Sequence, residues 1–246
     1  SRDLVRNNSY AKRGMAVIKS NVVGTGIITQ VKGTSSSKAN KIDALFHEWA
    51  EQNTIDYDGQ NDVYGLQHLV IGTVAESGEC LIRLRRSKNL SIPLQIQVLE
   101  GDYLDSSAVE TTTQSGNKII QGVEFDKRGQ RVAYHLCRNH PGEMIFGKNE
   151  TIRVDASEIL HIYDISRSGQ IRGIPWLAPT IVKLRDLDEY EDAQLVRQKI
   201  AACFSAFIHD ADFDGESGNE LALELGAKVE PGLIEHLPPG KEIVFS

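Results

Sequence analysis

Cysteine, aromatic residues and long apolar runs are all scarce in this sequence. Its 246 residues include only Cys80, Cys137 and Cys203, never arranged as C-x-x-C, which argues against a disulfide-stabilised secreted domain and favours a reducing compartment. No apolar run approaches the roughly 20 residues that a membrane span requires, so no membrane partner is expected. Apolar residues make up 40% and charged residues 25% of the chain, which excludes disordered proteins and coiled-coil rods.

Charge of either sign is present, but negative charge predominates. The chain has 27 basic and 34 acidic side chains, a balance of −7, and residues 1–19 carry +4, which leaves −11 for the rest. A second basic cluster lacks interleaved aromatic residues and consists of Arg83, Arg85, Arg86 and Lys88. This balance disfavours a protein that grips DNA, but it suits one that surrounds DNA, because repulsion removes the phosphate contacts that would stall sliding.

The first 75 residues show helical patterns. A helix over residues 9–23 is expected to begin at Ser9, and a loop is expected over residues 33–40. Two further helices are predicted by apolar residues that recur at helical spacing. They are marked by Ile42, Leu45, Phe46 and Trp49, and by Val63, Leu66, Val70 and Val74.

From residue 79 onward the apolar period changes from 3.6 to 2, which predicts strands. A hairpin turn is expected at residues 126–129, where Gly129 permits positive φ. The strands are predicted over residues 80–84, 92–98, 119–125, 131–137, 151–154 and 158–163. Together these patterns predict an α+β fold in which a helical N-terminal part covers a mostly antiparallel sheet.

One long helix is predicted after the strands, over residues 176–209. At 1.5 Å per residue it would extend about 50 Å, more than a small domain needs. Apolar and charged side chains are mixed along it, so it is expected to span between bodies or to pack beside copies of itself. Beyond it, a loop is expected over residues 210–218 and a short helix over residues 220–226.

Two arrangements that include cysteine have an ordinary structural interpretation that the sequence favours. His135, Cys137 and His140 place three potential metal ligands within six residues, but no second ligand pair follows at zinc spacing. Cys80 with His135 resembles a thiol nucleophile and its base, yet Cys80 lies in an alternating strand pattern that favours burial.

Three other arrangements are equally weak. His161, Asp155 and Asp164 are residue types that could form an acid–base group. The two-residue period of the strand pattern, however, favours a packed histidine. The acidic run over residues 186–192 would point around a helix rather than toward one cation, and Gly24-x-Gly26 lacks the third glycine of a dinucleotide motif. The sequence therefore predicts no catalytic residue, no metal site and no cofactor.

Residues 161–175, HIYDISRSGQIRGIP, are too distinctive for an ordinary connector. With residues 187–193 and the opening RDLVRNN at residues 2–8, they resemble the N-terminal portion of portal proteins from lambda-like tailed bacteriophages or related prophages. Further short matches follow in the family's order, at residues 21–26, 49, 78–79, 122–126, 134–136 and 140–141. The resemblance covers almost the whole chain.

The resemblance implies a structural, non-catalytic subunit of a ring, typically of twelve copies, at one vertex of the phage head. The ring forms the channel for DNA packaging and ejection, and double-stranded DNA passes through it without sequence-specific contact. Expected partners are the terminase large subunit, capsid or scaffold proteins and head–tail completion proteins. The expected location is the virion, and the host cytoplasm during assembly.

Three regions follow from the resemblance: a wing-like α+β body over residues 1–165, a connector and stem-like helix over residues 166–209, and the start of a clip-like region over residues 210–246. Family members are longer, so the chain is expected to be a truncated portion.

Subunit-interface candidates are expected in the connector and the long helix. We expect Gly173 to occupy a position where no Cβ fits, and Arg167 or Arg172 to pair with Asp186 or Glu191 of the same or the next subunit. The alternative is that both arginines are ordinary surface residues. The candidates are Arg167, Gly169, Gln170, Arg172, Gly173, Arg185, Asp186 and Glu191. DNA-facing residues are not assigned.

Two other functions stay open at this point. A soluble α+β enzyme with an unrecognised site would need a convergent polar pocket with strongly perturbed acids or histidines. A soluble adaptor that binds a partner through the α+β body is the weaker possibility.

Overall fold

Helices come first in the chain, and antiparallel strands follow. The computed structural model describes residues 1–32, 35–88, 90, 92–107, 110–143, 150–204, 207–208 and 235–236. The helices are α1 (Arg2–Asn7), α2 (Ser9–Val22), α3 (Ser36–Ala50), α4 (Val63–Ser77) and α5 (Ile181–Phe204). The predicted α+β class is confirmed.

The strands form two antiparallel sheets and one short parallel pair. A three-stranded sheet has the order β2 (Leu94–Glu100), β1 (Glu79–Arg86), β8 (Ile159–Tyr163). A five-stranded sheet follows chain order through β3 (Glu110–Thr112), β4 (Lys118–Ile120), β5 (Val123–Phe125), β6 (Arg131–Cys137) and β7 (Thr151–Asp155). The parallel pair is β9 (Phe207–Ile208) and β10 (Glu235–His236).

Side-chain caps and a left-handed glycine set the helix boundaries. Asn8, rather than the predicted Ser9, caps α2 by accepting a hydrogen bond from the backbone N–H of Ala11 at 2.8 Å. Asp62 caps α4 in the same way through the N–H of Gly65 at 2.7 Å. Gly78, with φ +96°, ends α4 and turns the chain directly into β1.

Two predicted boundaries were wrong. The loop expected over residues 33–40 is helical from Ser36 onward, because the carbonyl of Ser35 already accepts hydrogen bonds from Lys38 and Ala39 at 2.9 Å. The predicted strand over residues 119–125 is two strands separated by a tight turn. Gln121 and Gly122 hold φ values of +49° and +82°, the left-handed pair that a two-residue hairpin requires.

The long helix is shorter than predicted at both ends. Residues 178–180 form a short 3₁₀ turn, and α5 has 24 residues, about 36 Å. Pro175 and Pro179 disfavour helical backbone at the residues before them, so the regular helix begins only after the second proline. At the other end, Phe207–Ile208 is a strand. The predictions for residues 210–218 and 220–226 lie outside the described residues.

Two apolar clusters hold the body together. One contains Leu81, Leu99, Leu104, Val123, Tyr134, Leu136, Val154 and Ile159, and it joins the two sheets. The other packs Ala50, Ile55, Val63 and Leu66 of the helical part against Ile96 and Val98 of β2. The chain divides into two compact units, Ser1–Ile181 and Val182–Ser246, so the connector belongs with the body. Among the described helices, none is both long and apolar enough for a membrane span.

Replacing Gln121 by Asn is expected to raise the free energy of unfolding by about 0.5–1 kcal/mol, because Asn tolerates left-handed backbone better than Gln. The measurement is urea unfolding of both proteins. Lys127→Asn is the control, since Lys127 lies in the other hairpin turn without positive φ, and it should leave stability unchanged. Equal shifts in both variants would contradict the backbone explanation.

Candidate functional site

The connector between β8 and α5 is folded around one buried side chain. Gln170 is only 8% exposed, and its amide nitrogen donates hydrogen bonds to the carbonyls of Asp164 at 3.2 Å and Arg172 at 2.8 Å. Its amide oxygen accepts from the N–H of Ser166 at 3.0 Å. The side chain therefore takes the place of regular secondary structure in satisfying the connector's backbone.

Both sheets contribute a side chain that ties the connector to the body. Tyr163, at the end of β8, donates its hydroxyl hydrogen to the carbonyl of Gln170 at 2.9 Å. Arg131, at the start of β6, contacts that hydroxyl and also donates to the Gln170 carbonyl at 3.4 Å. One carbonyl of the connector is thus bound by residues from two separate sheets.

Glu79 forms the centre of the main polar cluster. It is the first residue of β1 and is 4% exposed. Its Oε1 accepts from Arg172 Nε at 2.6 Å, while its Oε2 accepts from the N–H of Gly173 at 2.9 Å and lies 3.0 Å from His161 Nε2. All four groups lie at one point where β1, β8 and the connector meet.

The charge of Glu79 is stabilised despite its burial. Burial by itself raises the pKa of this carboxyl group, but hydrogen bonds from His161, Arg172 and the Gly173 N–H lower the pKa to about 2. Arg172 extends the cluster further, since it also donates to the carbonyls of Gly101 at 2.9 Å and Gln121 at 3.2 Å. A single guanidinium therefore links the connector to both sheets.

Two glycines allow the close approach of the connector to the α4–β1 turn. A Cβ on Gly173 would overlap the carbonyl oxygen of Gly78, and a Cβ on Gly78 would lie 2.6 Å from the carbonyl carbon of Ile174. The prediction that no Cβ fits at Gly173 is confirmed.

A second buried glutamate repeats this chemistry in the five-stranded sheet. The side chain of Glu124, 2% exposed, accepts from Arg153 Nε at 2.7 Å and Asn117 Nδ2 at 2.7 Å, and lies 3.0 Å from His135 Nε2. The hydrogen bond from Arg153 lowers the pKa of Glu124 to about 2 against the opposing effect of burial. Each sheet thus contains a buried glutamate with one histidine and one arginine.

Sequence patterns did not reveal either glutamate as a cluster centre. Glu124 lies between two apolar strand residues, as a solvent-facing residue would. Only the pairing of β5 with β6, and of β6 with β7, brings His135 and Arg153 to it. For Glu79, the Gly78-Glu79 match to the family was the one available signal.

The structure places the predicted interface residues in two groups. Gln170, Arg172 and Gly173 hold the connector together. Within the chain Arg172 pairs with Glu79 rather than with Asp186 or Glu191, while the expected pairing of Arg167 stays a prediction. Arg185 Nε donates to Glu189 one helical turn away at 3.4 Å. The second group is exposed or half-buried and consists of Arg167, Gly169, Arg185, Asp186 and Glu191. Their contribution to a subunit interface stays a prediction.

The reactive residues considered in the sequence are held in structural roles. Cys80 is fully buried, and burial, with the charges of Glu100 and Glu79, raises the pKa of its thiol to about 12. His161 pairs with Glu79 rather than with Asp155 or Asp164. With this raised pKa, the thiol of Cys80 is a poor nucleophile at neutral pH.

A different trio has metal-ligand spacing. In the described part of the chain, the potential ligand atoms of Glu100, Asp102 and His140 lie within 4.8 Å of one another. Arg2 already compensates one of the two carboxylate charges, since its guanidinium lies 2.9 Å from Glu100 and also contacts Asp102. The arrangement therefore fits salt bridges that join α1 to the rest of the body better than it fits a cation site.

An open apolar groove lies between the helices and the three-stranded sheet. Its volume is about 610 Å³, and its lining includes Trp49, Val70, Ile82, Ile96 and Trp176. Gln67, Tyr163 and Asp164 are its polar lining residues, and they do not form a hydrogen-bonded acid–base pair in the described structure.

Comparison with known proteins assigns the chain to a family. A family model described as phage portal protein, lambda family, matches residues 1–246. The chain belongs to the lambda family of phage portal proteins. This family is structural, and the resemblance expected from the sequence is confirmed.

A curated relative and a solved structure each share less than 30% sequence identity with this portal family member. A curated "Probable portal protein" of Halomonas phage phiHAP-1 is 29% identical over 229 residues, which cover 87% of this chain and 43% of the relative. The chain therefore spans less than half the length of that relative. A solved chain from the "Neck of native GTA particle computed with C12 symmetry" is 16% identical, with a TM-score of 0.37, over 75% of this chain and 50% of that chain.

Glu79→Gln is expected to lower the free energy of unfolding at pH 7 by about 3 kcal/mol, because Arg172 loses its buried counter-charge. The folded-state pKa of Glu79 is about 2 against an ordinary 4.5, so its stabilisation is fully present above pH 4.5. It is lost as the pH falls from 4.5 toward 2, and the variant should lose less stability than wild type over that range.

Urea unfolding at several pH values between 2 and 7 measures this difference. Glu51→Gln is the matched control, because the Glu51 side chain is 67% exposed, and it should change stability by less than about 0.5 kcal/mol. A wild-type and a Glu79→Gln protein with the same pH profile would show that this carboxylate is not stabilised as described.

Gly173→Ala is expected to destabilise the protein by about 2–3 kcal/mol, because the new methyl group would overlap the Gly78 carbonyl. Gly14→Ala is the control, since nothing lies within 4 Å of a Cβ there and α2 should gain up to about 1 kcal/mol. Thermal unfolding followed by circular dichroism distinguishes the two, and a neutral Gly173→Ala variant would contradict the tight approach.

Proposed function

We propose that this chain is the wing-like and stem-like portion of a portal subunit that assembles into a ring of about twelve copies at one vertex of a phage head. The observation that carries the proposal is the match of the portal family to all 246 residues. In this assignment residues 1–165 form the wing-like body, residues 166–209 the connector and stem-like helix, and residues 210–246 the start of a clip-like region.

The exposed apolar residues of α5 support assembly with copies of the same chain. Five of them are at least half exposed: Val182 at 68%, Tyr190 at 60%, Val196 at 54%, Leu195 at 53% and Ile200 at 50%. Val182, Tyr190, Val196 and Ile200 lie within about a third of the helix circumference and Leu195 lies outside it, so a single flat partner would not cover all five. Neighbouring subunits on both sides, as in a closed ring, would cover all five residues.

The charge balance supports a passage for DNA. With a net charge of −7, the chain has little capacity to neutralise phosphates, and weak contact favours sliding over retention. The proposed role is the channel for packaging and ejection of double-stranded DNA without sequence-specific contact. The proposed partners are the terminase large subunit, capsid or scaffold proteins and head–tail completion proteins, with assembly in the host cytoplasm and a final place in the virion.

Native mass spectrometry and negative-stain imaging of the complete protein that contains this sequence test the proposal. Rings of about a dozen copies are expected. A persistent monomer with hydrolytic activity would overturn the portal assignment and restore the enzyme alternative.

Leu195→Asp is expected to reduce ring formation strongly while it changes the melting temperature of the unassembled chain by only a few degrees. The reason is that Leu195 is 53% exposed within the chain, so its cost appears only when a neighbour would cover it. Val17→Asp, at a 43% exposed position on α2, is the control and should leave rings intact. A large loss of stability before assembly would show that Leu195 is buried within its own chain.

A further inference from the structure

A polar cleft of about 780 Å³ runs along the three-stranded sheet, outside the clusters described above. Arg83, Arg85 and Arg86 of β1 line it, together with Tyr57, Gln95 and Glu158. Arg83 and Arg85 are two positions apart on the strand and therefore project from the same face. Three of the four residues of the second basic cluster in the sequence therefore line this cleft.

The fold supplies the aromatic contact that the sequence pattern lacked. The guanidinium carbon of Arg85 lies 3.9 Å from the centre of the Tyr57 ring, a cation–π contact that fixes the arginine in place. Arg83 pairs with Glu158 at 3.6 Å, so one of the three lining arginines is partly neutralised. Asp58 also lowers the potential near Arg85. The lining residues themselves retain an excess of two positive charges.

Two buried donors in the cleft lack an acceptor. The Nε atoms of Arg83 and Arg85 are buried and have no hydrogen-bond partner within the described structure. A guanidinium offers only N–H donors, and its strongest hydrogen bonds are to charged acceptors such as carboxylates and phosphates. The excess positive charge of the lining therefore favours a ligand with several anionic oxygens.

The acidic part of α5 has the matching chemistry. Five carboxylates occur within seven residues: Asp186, Asp188, Glu189, Glu191 and Asp192. Asp188 and Asp192 are four positions apart, so they share one side of the helix. DNA phosphate is the less favoured source of oxygens, because the chain as a whole repels DNA.

We propose that the arginine cleft of one copy binds the acidic segment 186–192 of α5 in a neighbouring copy. This inference rests on the proposed ring, in which every interface joins two different surfaces of the same chain. A basic surface on one side and an acidic surface on the other would make each copy complementary to the next around the ring, and would disfavour contact between like surfaces.

Charge reversal on each surface tests the proposal in the complete protein. The cleft variant is Arg85→Glu with Arg86→Glu, and the helix variant is Asp188→Lys with Asp192→Lys. Either variant alone would join two like-charged surfaces, so we expect at least a tenfold lower yield of rings. A 1:1 mixture should restore rings, because a reversed cleft can bind a reversed helix and each normal cleft can bind a normal helix.

Two controls separate this contact from general effects of charge and folding. Lys127→Glu with Arg128→Glu makes the same charge change in the exposed β5–β6 turn and should leave rings intact. The neutral variant Arg85→Gln with Arg86→Gln should reduce ring yield without like-charge repulsion. Melting temperatures close to wild type for the separate variants show that they fold.

Each result decides a different question. If wild type forms rings and the cleft variant forms them equally well, or if the mixture fails to restore them, the inference is wrong while the proposed function stands. If the cleft variant keeps its rings but loses retention of duplex DNA, the cleft binds phosphate and the inference is overturned. Absence of rings in the wild-type protein would overturn the proposed function, and this inference with it.

Discussion

The buried carboxylate of Glu79 is the interaction on which the geometry of the body depends. A charged group with 4% exposure is tolerable only when its oxygens are fully paired, and here the partners come from β8 and from the connector. Because Arg172 and Gly173 are adjacent, pairing with Glu79 fixes both the side chain and the backbone of the connector. The glycine at position 78 then places the end of α4 against the same point.

This arrangement explains why a stretch without helix or strand can have a defined shape. Gln170 satisfies the internal backbone groups of the connector, Tyr163 and Arg131 bind its carbonyl, and Arg172 reaches the carbonyls of Gly101 and Gln121. Each contact is a directional hydrogen bond rather than an apolar contact. Directional contacts specify one conformation where apolar packing tolerates several.

The two arginine environments of the chain differ in a way that bears on assembly. Arg172 and Arg153 are paired with buried glutamates within the body, so they contribute to stability. Arg83 and Arg85 line an open cleft and retain buried Nε donors without acceptors in the described structure. Arg83 contacts only the exposed Glu158, and Arg85 contacts the ring of Tyr57. Charge alone, as counted along the sequence, would treat the four residues as equivalent.

Local patterns were enough to predict the α+β class, the order of helices before strands, the hairpin at residues 126–129, the burial of Cys80 and the family, because these depend on local periodicity, turn chemistry and ordered short motifs. The sequence also identified Gly173 as a close approach. The long-range contacts of the fold were needed to establish that Glu79 and Glu124 are cluster centres, that Arg172 pairs within its own chain, and that the antiparallel strands form two sheets. Those features join residues up to 94 positions apart, and no local pattern records which distant strand or connector will supply a buried charge with its partner.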